Sequence, residues 1–125
     1  MSTQRTEAQV RGDAGEQSAF DMLVEAGLRP VGRNLRFKVG ELDAVMEDGN
    51  TLVFIEVRRR GREDFGGALE SIDRRKAQKI VRAAKAFLQQ QPRYAAWGCR
   101  FDVVAIDDSR DAPDWVRGAF TLDDV

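Results

Sequence analysis

The sequence predicts an α/β fold, with helices packed on a mixed central sheet in the order helix, three strands, helix, strand. Three observations carry this. Residues 41–47 and 51–58 read as strands around an Asp48-Gly49 dipeptide, residues 72–90 repeat apolar positions at a helical period, and 100–106 returns to a strand pattern. Helices interleaved with strands in this order suit layers around a mixed sheet better than a doubly wound one.

The elements follow one by one. Residues 5–26 favour a helix whose apolar stripe is Ala19, Phe20, Leu23 and Val24, with Gly27 placed to stop it and Pro30 beyond. Gly12 and Gly15 weaken its first half. Residues 31–38 read as a short, polar-faced strand. Asp-Gly between two apolar runs is a hairpin signal, because both residues accept the backbone a tight turn requires. The stretch 58–67 is looser, and its Gly61, Gly66 and Gly67 fit a loop. In the second helix Ala77, Ile80, Val81, Ala84, Phe87 and Leu88 form the buried stripe. Arg75, Lys79, Arg82 and Lys85 lie off it, and Pro92 closes it. Residues 107–125 are read as an acidic C-terminal extension with one apolar cluster, Trp115, Val116, Ala119 and Phe120.

The chain of 125 residues suits a single domain, residues 1–125. It lacks an apolar run of membrane-spanning length and the apolar core of a secretory signal, so no membrane partner and a cytoplasmic setting are expected. The lone Cys99 cannot make an internal disulfide or a multi-cysteine zinc site. With no histidine, chemistry falls to carboxylates, Lys/Arg, hydroxyls and a hard cation.

The formal charge of −1 hides an asymmetry. Residues 58–85 carry ten bases against four acids, whereas residues 101–125 carry seven acids against two bases. One face can therefore meet a polyanion despite the balanced total, since local potential steers association. A solvated helix face balanced by an acidic tail produces the same pattern.

The hairpin holds the acids that matter. A two-residue turn at Asp48-Gly49 sets Asp43 opposite Phe54 and Glu41 opposite Glu56. Glu41, Asp43, Phe54, Glu56 and Arg58 then share one face, with Leu42, Ala44, Val53, Ile55 and Val57 on the other. A four-residue loop pairs Asp43 directly with Glu56, and a three-residue loop splits them between faces. Two carboxylates closing on each other among apolar neighbours repel, at a cost of several kcal/mol, unless a cation or Arg58 compensates. Oxygen-only ligands suit Mg²⁺ or Mn²⁺, with Asp43 and Glu56 as the metal-binding pair. The alternative is an edge hairpin whose acids face water and pair with arginines.

The residues Gly12, Gly15-Glu16, Asn34, Gly40-Glu41-Leu42-Asp43, Phe54-Ile55-Glu56-Val57-Arg58, Lys76 and Arg100-Phe101-Asp102-Val103-Val104 span nearly the whole chain. In their order and spacing the sequence resembles the YraN-like family of small bacterial proteins. That family is placed in the restriction-endonuclease-like superfamily and is related to archaeal Holliday-junction resolvases. The resemblance implies a restriction-endonuclease-like sandwich and a nuclease site in which Asp43 and Glu56 occupy the two acidic positions and Arg58 stands where lysine is usual. It also implies that Glu16, on the first helix, joins the site, although Asp13 and Glu16 equally make a capping-box start.

Arginine keeps its charge and clamps phosphate but is a poor base, so Arg58 favours binding over turnover. Lys76, with Arg59, Arg60, Arg75 and Lys79, is expected to contact nucleic-acid phosphates, against the alternative of a solvated helix face. Asp102, two residues after Arg100, is read as half of a structural ion pair. The leading expectation is a Mg²⁺- or Mn²⁺-dependent endonuclease acting on structured or branched DNA, with a homodimer implied by the junction-cleaving relatives. A non-catalytic nucleic-acid-binding module and a protein-interaction subunit are the competing expectations.

Overall fold

The structure, a computed structural model, describes residues 7–60, 72–107 and 112–121, with side chains from residue 14 onward except that of Arg60. The expected loop holding Gly61, Gly66 and Gly67 lies outside the described residues.

Helix α1 spans Glu7–Glu25. It ends where Gly27 takes φ 102°, a conformation that a Cβ opposes, while the Leu28 and Gly27 N–H groups donate back to the Leu23 and Val24 carbonyls. This is the Schellman closure that glycine favours. Three strands follow: β1 (Arg29–Phe37), β2 (Gly40–Asp48) and β3 (Thr51–Arg60). Helix α2 (Arg74–Gln90) starts at Asp73, whose carboxylate accepts the Lys76 N–H at 2.8 Å and satisfies one of the free donors of the first turn. A 3-10 turn over Pro92–Tyr94 leads to β4 (Gly98–Asp107), and β5 (Asp114–Phe120) completes the sheet.

The five strands lie in sequence order, β1-β2-β3-β4-β5, with β3 and β4 parallel and the other neighbours antiparallel. The sheet is therefore mixed, as expected. The parallel pair at its centre needs a long connection, and α2 lies within it. The fifth strand was not expected: Trp115, Val116 and Phe120 belong to a strand beside β4 rather than to a cluster in an extension.

Each helix covers one face. Ala19 and Leu23 of α1 pack with Leu28, Ala44, Met46, Val53, Ile55 and Val104. On the other face Ala77, Ile80, Val81, Ala83, Ala84 and Phe87 of α2 pack with Leu42, Val45, Leu52, Phe54, Phe101, Val103 and Phe120. The stripe predicted for α2 is borne out, with Arg75, Lys79, Arg82 and Lys85 all exposed. In α1 the stripe ends at Leu23, and Val24 faces outward. Among the described residues no helix is long and apolar enough to cross a membrane.

Gly40 lets α2 approach β2 closely. A Cβ built there would lie 2.9 Å from the Lys79 carbonyl oxygen, a backbone atom that cannot swing aside. The contact fixes the height of α2 over the strand that carries Asp43.

Candidate active site

The site lies where β2 and β3 part. Their pairing runs from Asp48–Thr51 to Ala44–Ile55, so the turn is Gly49-Asn50 and Gly49 has φ 58°. This corrects the expected Asp48-Gly49 turn. Moving the turn by one residue shifts the register by two, which preserves faces and points Asp43 at Glu56 instead of Phe54. A two-residue turn makes Asp48–Thr51 a hydrogen-bonded pair, and alternation makes Leu42–Val57 another. The Val57 N–H instead donates to Asp43 Oδ2 at 2.8 Å. A side chain has replaced a backbone acceptor, and the strands separate there.

A backbone switch explains the change. Asn34 has φ 51°, the left-handed region that asparagine tolerates better than most residues. It lies between Arg33, which pairs with Ala44, and Leu35, which pairs with Leu42. Strict alternation would put Arg33 and Leu35 on one face. Instead Arg33 stacks on Phe20 of α1, while Leu35 packs with the α2 cluster. In β2, Ala44 likewise goes to the α1 side and Leu42 to the α2 side, which corrects the face expected for Leu42. Asp43 sits opposite this switch, at the sheet's change of face.

The Glu56 side chain is buried and makes a hydrogen bond with that of Asp43. Burial, then the Asp43 charge, push its carboxyl up to about 8; the cations of Lys76 and Arg58 pull it down. Lys76 Nζ and Arg58 Nη1 stand 3.6 and 3.8 Å from Glu56 Oε1. Both distances lie beyond hydrogen-bond range, so the attraction is Coulombic and does not undo the burial.

Glu16 comes to the same place from α1. Its pKa is raised by burial and by Asp43, with Arg33 opposing. Glu16, Asp43 and Arg33 rim a recess floored by Phe20, Leu23, Ala44, Ile55 and Val57, with room for about one water-sized guest. Glu16 and Glu56 thus each meet Asp43, and among the described residues no group of three or more such ligands is close enough to cage a cation. The donor set fits Mg²⁺ or Mn²⁺ as a pair of carboxylates, an ion of a kind that keeps several waters, and a cation there would relieve the repulsion between them.

The other predicted residues divide. Arg58 flanks Glu56, as does Lys76, which sequence reasoning had placed on a phosphate-binding helix face. Arg75 and Lys79 are exposed on the outer side of α2, and Arg59 is exposed at the end of β3. The Arg60 side chain lies outside the described part. Glu41 faces solvent and pairs with Arg36. Sequence reasoning missed Arg33, and the only available signal was the neighbouring Asn34, a residue that permits a left-handed kink.

Asp102 is structural, as expected, but holds more than Arg100. It accepts from Arg100 Nε at 3.0 Å and Nη2 at 3.2 Å, from Trp115 Nε1 at 2.9 Å and from the Gly118 N–H at 3.0 Å. Gly118 has φ 61°, and the β4–β5 register shifts between Phe101 and Val103, so Asp102 clamps an irregular edge strand onto the sheet.

A mixed five-stranded sheet with one helix on each face, and an acid pair, Glu56 buried and Asp43 half-buried, where two strands part, defines a small α/β protein with its polar centre at the end of the hairpin. The profile of the Uncharacterised protein family UPF0102 matches residues 15–106, and the chain belongs to that family. It is 50% identical over 109 residues to a UPF0102 protein of Pseudomonas fluorescens strain Pf0-1, covering 87% of this chain and 91% of that one. A UPF0102 protein of Stutzerimonas stutzeri is 50% identical over 117 residues, covering 92% and 98%. One from Xanthomonas campestris pv. campestris is 49% identical over 116 residues, covering 93% and 95%.

Proposed function

We propose that the chain is a metal-dependent nuclease of restriction-endonuclease-like fold, hydrolysing phosphodiester bonds in structured or branched DNA. The observation that carries the reading is the Asp43–Glu56 pair, a buried carboxyl facing a half-buried one, with the Lys76 and Arg58 cations 3.6 and 3.8 Å from Glu56 Oε1. Asp43 and Glu56 would hold Mg²⁺ or Mn²⁺, which supplies polarisation of the phosphate and a bound water of lowered pKa. Glu16 orients water beside Asp43. Arg58 and Lys76 draw the phosphate towards Glu56 and offset charge that develops on its oxygens. A symmetric dimer and a cytoplasmic setting belong to the same reading, by resemblance to the junction resolvases.

A second reading has its own observation. Arg58 occupies the position where lysine is usual, and an arginine binds phosphate without giving up a proton. On that reading the protein binds nucleic acid without turnover. Incubating wild type and Glu56→Gln with duplex, single-stranded, flap and four-way-junction DNA in Mg²⁺ or Mn²⁺ separates the two. Cleavage that the substitution abolishes supports the nuclease. Salt-sensitive binding without cleavage, unaltered by Glu56→Gln, supports the binding module.

A further inference from the structure

We propose that Arg33 anchors a phosphate of the bound strand on the α1 side of the acid pair, opposite Arg58 and Lys76 on the α2 side. The inference rests on the reading of this site as one for nucleic acid, and it adds a contact on a face that the basic helix does not reach. A strand lying over the parted ends of β2 and β3 is then held from both faces of the sheet.

The kink at Asn34 brings Arg33 there. Without the left-handed residue, Arg33 and Leu35 would share one face; with it, Arg33 reaches the α1 side while Leu35 packs with the α2 cluster. Once on the α1 face, its guanidinium carbon stands 4.4 Å over the centre of the Phe20 ring, and Nη1 donates to Gln17 Oε1 at 2.8 Å. Stacking sets the plane of the fork and the hydrogen bond sets its rotation, so little further entropy is lost when a phosphate docks. The apolar floor of Phe20, Leu23, Ile55 and Val57 keeps the local dielectric low, which strengthens attraction for an anion.

A simpler role would be to offset the charge of Glu16, but a lysine ammonium would do that equally well. A planar fork fixed by a ring and a glutamine is suited to two phosphate oxygens at once. Comparing Arg33→Lys with Arg33→Ala therefore separates the two roles.

The test is fluorescence anisotropy of the full chain with a labelled single-stranded 20-mer and a labelled four-way junction, in Ca²⁺, across a salt series. The expected result is roughly tenfold weaker binding for Arg33→Ala and a log–log salt slope shallower by about one. Arg33→Lys should recover the slope and not the affinity. Wild-type affinity and slope in Arg33→Ala, or wild-type affinity in Arg33→Lys, would overturn the anchor. Phenylglyoxal labelling of the wild type, read by mass spectrometry, does not depend on how the variants fold. Bound oligonucleotide should protect Arg33, and continued labelling in the complex counts against the proposal. If the wild type binds neither oligonucleotide, the nucleic-acid reading itself fails, an outcome distinct from binding that ignores Arg33.

Discussion

Glu56 and Asp102 stand on neighbouring central strands, 6% and 0% exposed, in very different company. Asp102 is surrounded by donors: a guanidinium, an indole N–H and a backbone N–H. Glu56 faces another carboxylate, with two cations held beyond hydrogen-bond range. Burial of an acid is therefore no mark of function. The mark is a buried acid whose partners do not balance it, since such a group costs stability that a fold without use for it would shed.

The contrast can be broken most forcefully at Asp102. Asp102→Ala leaves the Arg100, Trp115 and Gly118 donors without their acceptor and is expected to cost about 3–5 kcal/mol in urea unfolding. An unchanged midpoint would put Asp102 and Glu56 in the same class after all. Glu56→Gln should act in the opposite direction. The folded protein keeps the Glu56 proton up to about pH 8, whereas the unfolded chain releases it near 4.5, so this group costs stability progressively as pH rises through that window. The variant should match wild type near pH 4 and exceed it by on the order of 3 kcal/mol at pH 7. Parallel stability–pH curves would mean that Glu56 is ionised and adequately paired.

A smaller effect is expected at Asp43. Asp43→Asn keeps an oxygen to accept the Val57 N–H and removes the second cause of the Glu56 shift, so it should stabilise by on the order of 1 kcal/mol at pH 7. Calorimetry should show its Mn²⁺ binding gone; stoichiometric Mn²⁺ affinity in this variant would reject the ligand pair. The smallest change in stability, within about 0.5 kcal/mol, belongs to Arg75→Ala with Lys79→Ala, since both side chains are exposed. Its readout is DNA binding, where the salt slope should flatten by about 1.5. An unaltered slope removes the outer face of α2 from the interface.

Periodicity made both helices, the hairpin and β4 legible, because each buries one stripe or one face. The acid pair was legible because the register error was even: it moved Asp43 two places along β3, from Phe54 to Glu56. The face of Leu42 and the approach of Arg33 were not legible. Both depend on the φ of Asn34, and a left-handed asparagine looks the same in sequence as an ordinary one. Strand β5 was masked by its acidic flanks, and its place depends on Asp102, 13 residues before Trp115 and 16 before Gly118. Lys76 had a local signal, the Asp73 cap that sets it in the first turn of α2, but which strand that turn overhangs is a tertiary fact.

The parallel pairing of β3 with β4 also bears on the order in which the molecule forms. The meander β1-β2-β3 pairs only strands consecutive in the chain, and together with helix α1 it contains Glu16, Asp43 and Glu56. Lys76 and β4 come later, and their docking closes a long loop, which is the slower kind of step. On the ribosome the three acids can gather before their lysine has left the exit tunnel, while the side of the sheet bearing Phe54 waits uncovered for α2.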